Sequence, residues 1–185
     1  MKQNESIVMY VLRLAGTLLL ICAVTAGLLA GVNGITAPII AELNAAATQE
    51  AISAVLPGGF DSEITDYADA SGIVSKVYQG ENGYALEVGP GGFDNTITMM
   101  VGIDNEGKVL GISVVSHTET AGLGAVADAD TPKGIAFREQ FVGTSGSVSV
   151  TKDGGMMDAI TGATITSRAI CGGVNAALDC VAGLG

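Results

Sequence analysis

An α+β domain behind one apolar N-terminal helix is the fold class the sequence predicts, on three observations. No charged residue stands between Arg13 and Glu42. From Ser71 to Ser116 the apolar residues recur with a period of two, broken by turn residues. Helical signals lie outside that block: one before Pro57, one at Pro132 and one from Thr166 onward. Strands gathered in one run with helices around them point to an antiparallel sheet with flanking helices, and not to a doubly wound parallel sheet.

The first element is the stretch Leu14–Val32, LAGTLLLICAVTAGLLAGV. At about 1.5 Å per residue it is long enough to cross a hydrocarbon core of roughly 30 Å, so a transmembrane helix is predicted over residues 14–35. A cleavable signal peptide is the alternative, with Val24-Thr25-Ala26 supplying small residues for a peptidase; against it, the apolar run continues past that point and little positive charge precedes it. A lipoprotein reading fails, because bulky Ile21 precedes Cys22 where a small residue is needed. Lys2 and Arg13 precede the span, whereas Glu42 and Glu50 follow it and the next basic residue is Lys76. The positive flank marks residues 1–13 as cytoplasmic and sends the remainder out of the cytoplasm, as a single-pass protein of the cell membrane. Gly27 and Gly31 form a small-xxx-small pair suited to packing against another membrane helix.

Thr36 and Pro38 read as the start of a second helix, a linker over residues 36–57. Its apolar stripe of Ile39, Ile40, Leu43, Ala47, Ile52, Val55 and Leu56 stops at Pro57-Gly58-Gly59. Residues 58–185 then form one domain. Strands are predicted at Ser71–Gln79, Tyr84–Val88, Thr96–Ile103 and Lys108–Ser116, the last two joined by the turn Asp104-Asn105-Glu106-Gly107. Thr131 caps and Pro132 opens a short helix running to Phe141, Ser147–Thr151 reads as one more strand, and a helix runs from about Thr166 to Ala182. Along that last helix Ile170, Val174, Leu178 and Val181 share one face.

Charge narrows the function classes. The chain has 185 residues with 8 Lys and Arg against 19 Asp and Glu, a net charge of −11. Such a balance repels phosphate backbones, so nucleic acid is excluded as a partner. With 48% hydrophobic and 15% charged residues the chain has ample material for a core, which excludes disorder. Residues 42–185 hold six basic and eighteen acidic side chains, so the acidity belongs to the domain and serves its solubility. Cys171 and Cys180, nine residues apart on one helix, stand about 13 Å apart, too far for a disulfide, and are expected as free, packed thiols. No metal-ligand cluster and no nucleophile–base pair is apparent, so neither a metal nor a catalytic residue is expected.

The chemistry concentrates in Asp158-Ala159-Ile160-Thr161-Gly162-Ala163-Thr164-Ile165-Thr166-Ser167, directly ahead of the last helix. Hydroxyl residues there can be plain helix caps and glycine a plain turn residue. A phosphate-cradling P-loop is ruled out, since its lysine is missing. Free backbone N–H groups and the positive end of the helix dipole would nonetheless favour a phosphate beside Thr164.

The run Asp158–Thr164 resembles the flavinylation motif, an Asp a few residues ahead of [Ser/Thr]-Gly-Ala-Thr, of the FMN-binding subunits shared by the Rnf complex and the sodium-pumping NADH:quinone reductase. The resemblance implies that FMN is joined covalently through its phosphate to Thr164, that Thr161, Gly162 and Ala163 form the turn presenting it, and that Asp158 is recognised by a dedicated flavin transferase using FAD and magnesium. All the motif positions match. Some forty residues upstream, Ser116-His117-Thr118-Glu119-Thr120-Ala121-Gly122-Leu123-Gly124 is similar to the Ser-His-x-Glu-Thr-Pro-Gly-Leu-Gly loop of the same domain, with Ala121 where proline is usual. The resemblance implies that His117, Glu119, Thr120, Gly122, Leu123 and Gly124 line the flavin. His117 is the only histidine, and a lone histidine ordinarily satisfies a local hydrogen bond. The Gly89-Pro90-Gly91-Gly92-Phe93 stretch before a strand also fits the family, and the short chain is closer to the Rnf G subunit than to the longer C subunit of the quinone reductase.

The expected function is that of a membrane-anchored electron-transfer subunit of an ion-translocating ferredoxin:NAD oxidoreductase. Its partners would be the other membrane subunits of the complex and, during maturation, the flavin transferase. Covalent attachment has its own rationale: a flavin held only noncovalently outside the membrane escapes into a volume almost free of ligand. Three alternatives stand beside this reading: the C subunit of the quinone reductase, a non-redox acidic scaffold ectodomain in which the threonines only cap a helix, and a stand-alone flavoprotein reductase, which would need a second catalytic constellation.

Overall fold

The computed structural model describes residues 2–184, with side chains from Met9 onward. Met1 and Gly185, the outer ends of the 1–13 and 58–185 segments, lie outside the described residues, as does the side chain of Lys2 on which part of the charge asymmetry rests. The chain divides into two units, Met1–Ala46 and Ala47–Gly185.

The described residues of the first unit are all helical and belong to α1, Lys2–Val55. Pro38 lies inside this helix, so the expected new helix start at Thr36 does not occur. The Thr36 hydroxyl donates back to the Val32 carbonyl at 3.0 Å and does not cap a following turn. A proline costs a helix one backbone bond, whereas an interruption would orphan several. The helix is long and apolar enough to cross a membrane. Its Leu18, Leu19, Leu28 and Leu29 side chains are all exposed, as lipid-facing residues would be.

The second unit is built on a five-stranded antiparallel sheet in the order β1-β2-β3-β4-β5. The strands are β1 Ser62–Ile64, β2 Val74–Gly80, β3 Gly83–Val88, β4 Thr98–Asp104 and β5 Val109–Ser116. The meander was legible from period-two alternation, whereas the three-residue edge strand β1 is too short to carry that signal. The turn Asp104–Gly107 closes as expected: the Asp104 carboxylate accepts from the N–H groups of Glu106 and Lys108, each at 2.8 Å.

Alternation loads both faces of the sheet. Val77, Leu86, Val88, Met99, Val101 and Ile103 pack with Phe137, Phe141, Ile170, Val174 and Leu178 on one side. Tyr78, Ala85 and Met100 pack with Ala51, Ile52, Val55 and Leu56 on the other. The result is three layers: the last turns of α1, the sheet, and a layer of α2 (Pro132–Glu139) and α3 (Thr164–Ala182). The expected α+β class is therefore observed. Cys171 and Cys180 are free thiols buried in α3, as their spacing required.

Two expectations about elements need correction. Ser147–Thr151 is not a strand; it forms only one parallel bridge, Val150 to Met157. In place of a neighbouring strand, Asn175 of α3 satisfies Val148, accepting from its N–H at 2.7 Å and donating to its carbonyl at 2.9 Å. The last helix begins at Thr164, two residues before the expected start.

Candidate functional site

Thr164 is the first residue of α3, and the turn before it explains its placement. The Ala163 N–H donates to the Ile160 carbonyl at 2.9 Å, closing a turn with Thr161 and Gly162 at its centre. Gly162 has φ of +81°, a left-handed conformation that a side chain resists. Ser167 is buried and ties the turn to the helix: its hydroxyl accepts from the Ile160 N–H and donates to the Ala163 carbonyl, both at 3.0 Å.

The hydroxyl-rich run does not act as a cap. The cap residue is Ala163, with no side-chain cap bond, and the helical ladder opens with Ser167 N–H to the Ala163 carbonyl at 3.0 Å. The backbone N–H groups of Thr164, Ile165 and Thr166 precede the ladder and have no helical partner, the ordinary state of a helix start. Half-buried Thr164 instead accepts a hydrogen bond at its hydroxyl from Lys152 Nζ at 3.1 Å.

Beside Thr164 lies a cleft of about 280 Å³, lined by Phe93, Glu119, Thr120, Leu123, Gly124, Lys152 and residues Gly162–Thr166. A second cleft of about 550 Å³ includes Gly122, Asp158 and Thr161 together with Lys133, Phe137 and Gln140. Phe93, Leu123 and Ile165 are exposed apolar side chains at the rim of the first. Both volumes are on the scale of small-molecule sites, roughly 300–1,000 Å³.

Buried Glu119 joins three chain segments. One carboxylate oxygen accepts from the N–H groups of Phe93 at 2.8 Å and Asp94 at 3.3 Å; the other accepts from the Thr166 hydroxyl. Burial pushes the Glu119 pKa up, but the bonds from Thr166, Asp94 and Phe93 and the nearby His117 outweigh it, and the net direction is down. Glu119 is thus held ionised by its donors, and in that state it fixes the cleft wall to the first turn of α3.

The two sequence motifs, forty residues apart in the chain, therefore meet in space. Thr164, Ala163, Gly162, Glu119, Thr120, Leu123 and Gly124 share the smaller cleft, while Thr161, Gly122 and Asp158 stand on the larger one. His117 lines neither cleft: its Nδ1 accepts from the Glu119 N–H at 3.2 Å and its Nε2 lies 3.8 Å from Asp128. It shapes the loop and does not face the cleft. Exposed Asp158 is held by its backbone, since Gln140 accepts from its N–H at 2.6 Å and donates to its carbonyl at 3.3 Å. Lys152 lines the Thr164 cleft and Gln140 the larger one without any signal in the sequence, whereas Phe93, Ile165, Thr166 and Ser167 fall inside runs the sequence had already marked. Only the Gly-Gly-Phe stretch and the hydroxyl run offered a local signal for any of them.

Residues 92–179 match the FMN-binding domain family, and residues 1–55 match the RnfG N-terminal region family. The chain is 34% identical to the G subunit of the Na+-translocating ferredoxin:NAD+ oxidoreductase complex of Acetobacterium woodii, over 91% of this chain and 90% of that one. It is 34% identical to the G subunit of the ion-translocating oxidoreductase complex of Methanosarcina acetivorans, covering 89% and 91% of the two chains. The corresponding protein of Photorhabdus laumondii is 35% identical, over 85% and 84%.

Proposed function

The chain belongs to the G-subunit family of ion-translocating oxidoreductase (Rnf) complexes, and on that premise we propose that it carries FMN joined through its phosphate to the Thr164 hydroxyl, on a domain anchored by a single membrane helix. The protein is an electron-transfer subunit of such a complex, with an FMN-binding domain over residues 92–179. The observation that carries the finer reading is the state of Thr164: the last residue of the matching motif presents its hydroxyl on a cleft, and the helix does not use it as a cap.

The residues present suit FMN. Thr164 supplies the esterifying oxygen, and the free N–H groups of the first turn of α3 together with its dipole favour the phosphate. Thr161, Gly162 and Ala163 form the turn that presents Thr164. Leu123, Gly124 and Thr120 offer surface to the ring system, with Phe93 and Ile165 at the rim, and Glu119 holds these segments in place. FMN, once bound, accepts and passes on electrons, and the surrounding side chains tune its potential. No residue here acts as a base or nucleophile toward a substrate. Asp158, exposed beside Thr161, is the position a flavin transferase would read during maturation.

Residues 14–35 form the membrane span, residues 1–13 stay in the cytoplasm, residues 36–57 link, and residues 58–185 form the extracytoplasmic flavin domain. Partner subunits supply the ion path, because an uncharged span offers none.

The experiment is intact mass and in-gel flavin fluorescence of denatured protein, coexpressed with a flavin transferase. The wild type is expected to gain the mass of one FMN less water and to fluoresce, and Thr164→Val to do neither. An unmodified wild type, with the transferase shown active on another target, would overturn the attachment.

A further inference from the structure

Lys152 lies outside both sequence motifs, yet its ammonium group is the one polar contact made by the Thr164 hydroxyl among the described residues, at 3.1 Å. Its position is built. Lys152 sits in the short helical turn Thr151–Asp153, held at its base by the Thr151 N–H to Met157 carbonyl bond of 2.9 Å. The next residue, Asp153, receives a two-pronged hydrogen bond from Arg168, Nε and Nη2 each at 2.6 Å. Arg168 stands one turn beyond Thr164 on α3. This clip fastens the turn to the start of α3 and occupies the one carboxylate adjacent in sequence, leaving the Lys152 ammonium directed at Thr164. In a domain whose residues 58–185 carry sixteen acidic side chains, a cation placed on the single hydroxyl of interest is against the prevailing charge.

We propose that Lys152 is a positioning residue for flavin attachment: it orients the Thr164 hydroxyl and supplies the positive charge that draws in the pyrophosphate of the flavin dinucleotide and then neutralises the phosphodiester formed. The inference rests on the reading that Thr164 is the attachment point. In the transfer the Thr164 oxygen attacks the flavin-side phosphorus of FAD. The new oxygen–phosphorus bond replaces the bond to AMP, which leaves, and the hydroxyl proton passes to a base of the transferase. No electrons change hands. The ammonium group remains protonated throughout and gives no proton to the reaction. Its effect is electrostatic, and it therefore weakens as salt rises.

The test is the initial rate of flavin incorporation into purified full-length apoprotein in detergent, with FAD, magnesium and a flavin transferase, at low and at high salt. Lys152→Met is expected to slow incorporation about fivefold at low salt, and by much less at high salt, the scale of an exposed charged hydrogen bond. Lys152→Arg, which keeps the charge, is expected to recover most of the rate. Thermal midpoints of the apoproteins serve as a folding control and should agree. A Lys152→Met rate equal to wild type at low salt overturns the role of the lysine, as does an equal deficit in Lys152→Arg. Failure of the wild type to incorporate flavin, or incorporation into Thr164→Val, overturns the attachment reading and the lysine's role with it.

Discussion

Glu119 shows how one side chain carries several consequences. Its carboxylate accepts from Phe93, Asp94 and Thr166, and those donors hold its pKa below the ordinary range in spite of burial. Because the folded-state pKa is depressed, the stability it contributes is complete above the unfolded value of about 4.3 and is lost as the pH falls through the lower folded value. Glu119→Gln is expected to cost about 2 kcal/mol at neutral pH, since three donors lose an ionised acceptor. Denaturant titrations from pH 7 to pH 3 should show the gap between wild type and variant closing on the acid side. A constant gap would mean that Glu119 acts only by shape. Substitution of Thr164 is expected to abolish flavin attachment, and substitution of Lys152 only to slow it. The Cys171 thiol, pushed up to about 11 by burial, should resist alkylation at pH 8 in the folded protein and react on denaturation, which mass spectrometry can follow.

Among elements, the seating of α1 on the sheet is the most exacting. Gly102 of β4 faces the end of α1, and a Cβ placed there would run into the backbone of Val55. Gly102→Ala should therefore force the helix off the sheet, at about 3 kcal/mol. The expected fall in thermal midpoint, followed by circular dichroism in detergent, is roughly 10 °C. Helix α3 approaches the other face less tightly at Gly173, where a Cβ would stand 3.0 Å from the Pro90 side chain and 3.1 Å from the Met99 sulfur. These two close approaches clamp the sheet between layers, so the loops that bear the cleft spring from a rigid base. Short element lengths explain what the pattern hid: β1 has three residues, and the 147–151 segment borrows Asn175 instead of a neighbouring strand.

At the scale of the whole molecule, charge and hydropathy are divided along the chain. Residues 42–185 carry a large acidic excess, and the N-terminal helix is apolar and exposed. Alkaline phosphatase fused after Leu184 is expected to be active in cells and a cytoplasmic reporter at the same point inactive; the opposite pair of results would reverse the orientation. Truncation to residues 47–185 removes the apolar unit while keeping every buried residue named above. That fragment is expected to be soluble without detergent and to show the circular dichroism of a mixed helix and sheet domain.

The residue pattern by itself determined the antiparallel meander, the helix ends at Pro57 and Pro132, the free thiols and both motif runs, because periodicity, turn chemistry and motif order are local properties of a chain. It was silent or misleading wherever a distant group did the local work. Proline at 38 signalled a helix start, yet the helix runs through it, because one lost backbone bond orphans fewer groups than a break would. The convergence of Glu119 with Thr166 across 47 positions, the Asn175 clasp on Val148 and the reach of Lys152 to Thr164 were settled only when the chain folded. Each rests on one or two polar contacts between segments apart in the chain, set by how α3 packs on the sheet, and such contacts leave no period or spacing in the sequence that encodes them.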